Sequence, residues 1–248
     1  MNRKYELTEE SVVIYDEKRN EYTLYRIRAV RDFSNVKVGE LGGFIEKEEN
    51  LSHDDFAWVY DNARVYGNAR VYEDAEIYDC ASVYENAVVS GRAWICDNVK
   101  ICGNAEVTEF AKVYDNAHVY GNAKVSDVTE IYDNVHIYDN AEVIDVAKIY
   151  GNARIYKNAK IFGCAVISDN AEIYEEACIS DNAKIYENAK VFGNAQIFGD
   201  SEVYGNARVY KNANVIDSSV FDNAHVHGDA LIYGGDEING CTDIYCND

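Results

Sequence analysis

Proline is absent from the 248 residues, and methionine occurs once. Irregular loops and extended tails commonly use proline, so a chain without it is expected to be built of regular elements. No run of 18 apolar residues occurs, which excludes a membrane-spanning helix. The opening Met1-Asn-Arg-Lys-Tyr-Glu6 has no apolar signal region, so a soluble, cytoplasmic protein is expected. The seven cysteines (Cys80, Cys96, Cys102, Cys164, Cys178, Cys241 and Cys246) are odd in number and show no C-x-x-C spacing. Free thiols in a reducing compartment follow, with neither a disulfide framework nor a structural metal. Five threonines are too few for a flat, ice-binding threonine array. Also missing are a Gly-rich phosphate loop, a Cys/His pair at a marked turn and a paired-carboxylate pocket, so no cofactor is expected.

What is present is a repeat. From Val59 to Val215 every sixth residue is Val or Ile, 27 positions without exception. Four residues after each comes a second column, Ala at 22 places and Val99, Thr129, Val135, Ser201 or Ser219 at the rest. Side chains alternate faces along a strand, so each hexad reads as a short strand with an inward aliphatic and an inward small residue, followed by a two-residue corner. The corner pair, Asp or Gly followed by Asn, tolerates left-handed dihedrals, and asparagine is expected to take the left-handed position. With no residue inserted over 27 hexads, no loop projects.

The corner columns also repeat every 18 residues, as in Asn98, Asn116, Asn134 and Asn152. Three walls therefore close one coil. A five-residue unit, Val215 to Ser219, shifts the phase before the pattern resumes at Val220, giving about 11 coils and a length of roughly 50 Å at the usual strand spacing. The fold class expected is all-β, a triangular parallel β-helix over residues 51–248. Residues 1–50 form a small N-terminal β cap, with strands Ser11–Tyr15 and Glu21–Val30 around the turn Asp16–Asn20. The cap covers an edge that would otherwise invite end-to-end polymerisation.

The unit, as in Ile137-Tyr-Asp-Asn-Ala-Glu142, resembles the hexapeptide-repeat family of β-helices, and that resemblance implies the left-handed form. The leader Arg26-Ile-Arg-Ala-Val-Arg-Asp-Phe33, with Gly39-Glu-Leu-Gly-Gly-Phe44 and Glu49-Asn-Leu-Ser52, is similar to a group of bacterial and phage-associated proteins labelled acyltransferases on their fold. A CoA-dependent acyltransferase is what the label implies, with a cleft between trimer subunits, a catalytic histidine and a projecting loop. Fold alone is a weak warrant for activity.

Formal charge is −21, of which residues 1–50, with nine basic and eleven acidic side chains, hold little. The repeat carries 33 acids against 14 bases. Such a surface repels phosphate, so neither nucleic acid nor an anionic membrane is an expected partner, whereas a basic protein is. Acidity that merely keeps a repetitive β-protein soluble is the plain alternative.

Three outward constellations stand out. Tyrosines follow the inward aliphatic on two walls (Tyr114, Tyr132, Tyr150 and Tyr120, Tyr138, Tyr156), as self-supporting stacks or as a platform for planar or sugar rings. The third wall replaces them with residues that include Ile144, Phe162, Phe198 and Ile216. Beside it runs a corner column of Phe110, Val128, Val146 and Cys164, with Trp94 about one coil before Phe110. An outward apolar strip on a charged surface marks a contact surface. Self-association as a dimer or trimer, a foreign protein, or packing of the N-terminal segment would each cover it. His118 and His136, 18 apart in one outward column, are the candidates for metal ligation or catalysis, but Arg64, Ser82, Lys100 and Arg154 share that column, as in an ordinary solvated row.

The function expected is therefore a non-catalytic, acidic interaction or scaffold protein that self-associates and binds a macromolecular partner. The phage-associated likeness sharpens one version, an inhibitor that occupies the basic surface of a host protein handling nucleic acid. The acyltransferase is the alternative.

Overall fold

The computed structural model describes residues 3–16 and 18–246. The fold is an all-β parallel solenoid of about 11 coils, in two compact units, Met1–Gly121 and Asn122–Asp248.

The first unit opens with β1 (Tyr5–Tyr15) and β2 (Glu21–Ala29), an antiparallel hairpin with a bulge between Leu7 and Ser11. The first strand is thus longer than the Ser11–Tyr15 expected. A third strand, β3 (Leu41–Ile45), pairs antiparallel with β2 and parallel with Arg64–Val65 of the first coil. Sequence patterning hides β3 because Gly42 and Gly43 lie in it, and glycine reads as a strand breaker. Close approach explains them: a Cβ on Gly42 would come 2.5 Å from the Val59 carbonyl oxygen, and one on Gly43 would come 2.5 Å from that of Ala63.

Three walls follow, each stacking every 18 residues. Arg64–Val65, Ser82–Val83, Lys100–Ile101 and His118–Val119 build one. Trp58–Val59, Glu76–Ile77, Trp94–Ile95 and Lys112–Val113 build the next. Arg70–Val71, Val88–Val89 and Glu106–Val107 belong to the third. The second unit repeats this order, and its first wall runs from His136–Ile137 through Arg154–Ile155, Glu172–Ile173, Lys190–Val191 and Arg208–Val209 to His225–Val226. Inside, the aliphatic column and the small column are buried throughout. Each enclosed Val or Ile contributes about 1.5–3 kcal/mol relative to exposure, and Ala leaves room for it at the narrow corner.

The corners depart from expectation. It is the first corner residue, the Asp, Glu or Gly, that takes the left-handed conformation, as at Asp61 (φ 50°), Asp133 (φ 59°) and Gly151 (φ 74°). The asparagine after it does not. Of the left-handed residues in the repeat, seventeen are acidic, which is half of the repeat's 33 acids. Their carboxylates accept the backbone N–H one coil on: Asp133 from Gly151 (2.9 Å), Asp145 from Gly163 (2.9 Å), Asp181 from Gly199 (3.0 Å) and Glu187 from Gly205 (2.8 Å). The asparagines form the expected amide ladders, Asn122 to Asn140 to Asn158 at 2.9 Å each. Corner chemistry is thus divided, with acids closing the turn and amides linking the coils.

Where the solenoid starts, side chains replace the missing coil. Carbonyls of Glu73, Ala75, Asp79, Glu85 and Ala87 accept backbone N–H groups from the coil before them. Their counterparts 18 residues earlier are instead met by Lys4 Nζ (Asp55, 2.9 Å; Ala57, 2.7 Å), Arg26 Nη1 (Asp61, 3.0 Å) and Asn50 Nδ2 (Gly67, 3.2 Å; Ala69, 2.8 Å). At the phase shift, Ser201 Oγ donates to the Phe198 carbonyl (2.7 Å) and Ser218 Oγ to that of Ile216 (2.9 Å), which seals the shortened unit.

Candidate functional site

Phe110, Val128 and Val146 point outward, 48%, 53% and 51% exposed. Ile144, Phe162, Phe198 and Ile216 are half-buried along the third wall. Trp94, 37% exposed, is not in the Phe110 column. It pairs in register with Glu76 and Lys112 on the adjoining wall, its ring 6.1 Å from those of Tyr78 and Tyr114. The residue one coil before Phe110 is Arg92, whose guanidinium lies 5.6 Å from the Phe110 ring and 3.5 Å from Asp74. The apolar residues of the first unit are therefore interrupted by charge, and a shallow depression of about 420 Å³ there is lined by Asp55, Glu73, Asp74, Arg92, Glu109 and Phe110.

In the second unit the corner is more continuous. Val128 and Val146 occupy successive coils, followed by exposed Cys164, with Ile144 and Phe162 on the wall beside them. Their backbones are held like any other corner: Val128 N–H donates to the Asp145 carbonyl (2.8 Å) and Val146 N–H to that of Gly163 (2.9 Å). Flanking walls carry opposite charges in adjacent coils, Lys148 to Glu130 at 2.8 Å and Lys160 to Glu142 at 4.0 Å.

The aromatic ladders are stacks. Tyr138, Tyr156, Tyr174, Phe192, Tyr210, His227 and Tyr245 run face to face at 4.7–4.9 Å, all but the last pair within 8° of parallel. Each inner ring has both faces covered by its neighbours and presents its edge to solvent. Sugar stacking needs a free face, so this column is no platform for sugar rings, and the self-supporting reading holds. Burial raises the Tyr156 phenol above its ordinary range, with the nearby Glu172 charge adding to the effect.

His118 and His136 fall in different units. His136 pairs in register with Arg154, and burial followed by the Arg154 charge lowers its basicity. His118 Nε2 lies 3.5 Å from Cys102 Sγ, a contact between residues 16 apart that the column analysis missed. All seven cysteines are free thiols. Among the described residues one His/Cys/Asp/Glu cluster, Asp79, Cys96 and Asp97, is compact enough for a cation. Cys96 Sγ there donates to Asp97 at 3.0 Å, and burial, then Asp97, push its thiol well up and hold it protonated. Among the described residues no helix is long and apolar enough to cross a membrane.

Residues 57–73 and 63–79 match a family model described as the YdcK beta solenoid repeat. No curated protein matches the chain. Among solved structures, the UDP-N-acetylglucosamine O-acyltransferase LpxA from Moraxella catarrhalis RH4 is similar over 73% of this chain, at 15% identity and a TM-score of 0.31. The chain spans 66% of that enzyme, just under two thirds of its length. A likeness of that grade carries no argument about activity.

Proposed function

We propose that this is a non-catalytic interaction protein that self-associates through the Val128–Val146 corner of its second unit. What supports the reading is two adjacent valines, each about half exposed, where corner positions elsewhere carry asparagine or aspartate. Exposed apolar clusters on charged surfaces are characteristic of contact surfaces. The Glu130–Lys148 and Glu142–Lys160 pairs leave both flanking walls close to neutral. A second copy can therefore approach without net repulsion, while a strongly basic partner gains little at this place. Substituting Val128→Lys together with Val146→Lys is expected to leave folding intact and to lower the particle mass measured by light scattering. An unchanged mass would count against self-association there.

Two other readings carry their own tests. Inhibition of a basic host protein was motivated by acidity, and the corner role of the carboxylates accounts for much of that acidity without any partner. A charge-mimicking inhibitor would recover a basic protein from host lysate at low salt and release it at high salt. A CoA-dependent acyltransferase would show saturable heat on titration with acyl-CoA; the interaction reading expects none.

A further inference from the structure

Cys102 follows the inward Ile101, and His118 precedes the inward Val119 one coil on. Both side chains leave the same wall, and the diagonal between them is a recurring short distance: Tyr60 to Glu76 (3.4 Å), Tyr186 to Glu202 (3.1 Å) and His227 to Asp243 (2.9 Å) have the same 16-residue separation. At Cys102 and His118 that diagonal joins a thiol to an imidazole, Sγ to Nε2 at 3.5 Å. The thiol occupies a place in the column of Tyr66, Tyr84 and Tyr120 and is 8% exposed. Lys100 stands beside the pair, in register with His118 on one side and with Ser82 on the other, and Arg64 follows Ser82.

This row forms one side of a cleft of about 230 Å³, lined by Arg64, Tyr66, Ser82, Tyr84 and Lys100 and closed by Ile14, Tyr15 and Asp16 of the hairpin. Asp16, the one acid in the lining, is occupied by the Asn20 backbone and amide at 2.7 and 2.8 Å. Lys18 binds Glu85 at 3.3 Å, and Glu85 accepts the N–H of Gly103, the residue after the thiol, at 2.8 Å. Hairpin, cleft and thiol are thus mechanically joined.

We propose that Cys102 is a nucleophilic thiol with His118 as its base, and that the Arg64–Lys100 cleft presents to it a small, carboxylate-bearing carbon electrophile. His118 Nε2 takes the thiol proton, Lys100 favours the resulting thiolate, and sulfur forms its bond to carbon as the leaving group departs with the electron pair. The product is a thioether at Cys102 and an imidazolium that returns its proton to water. This goes beyond the interaction role and does not rest on it.

Iodoacetate is the probe, iodoacetamide its uncharged control, and alkylation of the full chain at pH 6.5 is followed site by site by mass spectrometry. Exposed Cys164 is the internal standard, and Cys96, held protonated by burial and Asp97, is the inert one. An ordinary thiol is on the order of 1% thiolate at that pH, so Cys102 is expected to react about tenfold or more faster than Cys164 despite its cover. His118→Gln should remove that advantage and leave the Cys164 rate unchanged, which also reports an intact fold. Lys100→Gln should abolish the preference for iodoacetate over iodoacetamide. Equal rates at Cys102 and Cys164, or an unaltered Cys102 rate in His118→Gln, overturn the dyad; a preference surviving Lys100→Gln overturns the cleft.

Discussion

Lys4 shows how one side chain can substitute for a coil. It is fully buried, its ammonium donating to two carbonyls of the first corner, and burial lowers its pKa from 10.5 to about 8, opposed chiefly by Asp55, with Arg31 adding to the fall and Asp54 and Asp74 resisting it. Between pH 8 and 10.5 the unfolded chain therefore holds a proton that the folded chain has lost, and stability rises with pH across that window. Tyrosines whose pKa is raised act oppositely, since the folded chain keeps a phenol proton that the unfolded chain loses above about pH 10. Urea unfolding at pH 8 and 9.5 should show the increase, and Lys4→Met should flatten it. Thr129 is a different single-residue effect: it stands in the inward alanine column, fully buried, with its hydroxyl unpartnered. Thr129→Val keeps the shape and removes the unsatisfied oxygen, so thermal unfolding should show a gain of about 1 kcal/mol.

The hexad is the next scale, and here legibility divides. The inward columns, the three walls and the 18-residue register could be read from Val59 to Val215 because burial allows few residue types at those places. Which corner residue turns left-handed could not, since Asp, Gly and Asn all tolerate that region and only the hydrogen bonds decide. Asp wins because its carboxylate, once turned, reaches the next N–H, whereas the asparagine amide both donates and accepts and so makes a ladder. Trp94 was placed in the wrong column because the count ran along coils without checking the corner between walls. The Cys102–His118 contact was missed for a related reason: columns repeat every 18, but the outward residues on either side of an inward one meet at 16. Asp145→Ala should lower stability by about 1 kcal/mol through the lost Gly163 bond, and Asp145→Asn by much less, because the amide oxygen still accepts. Chemical denaturation of the two variants side by side distinguishes the bond from the charge.

For the whole molecule the question is what a charge of −21 is for. Asparagine tolerates the left-handed region as well as aspartate does, so conformational preference alone would permit a neutral corner. A carboxylate makes the stronger, charge-assisted bond to the backbone N–H, at the expense of repulsion between stacked copies. Chains substituted Asp→Asn at Asp133, Asp139, Asp145 and Asp181 would keep every acceptor while losing four charges. Screening acts on repulsion between exposed groups, so the melting temperature of the natural chain should rise with added salt and that of the variant should rise less. If lysine–glutamate pairs such as Lys184–Glu202 at 2.9 Å dominated instead, salt would lower both. Self-association through the valine corner should survive the four substitutions, because neither valine nor its flanking pairs change; a role resting on negative charge should not, and lysate capture with the variant separates the two.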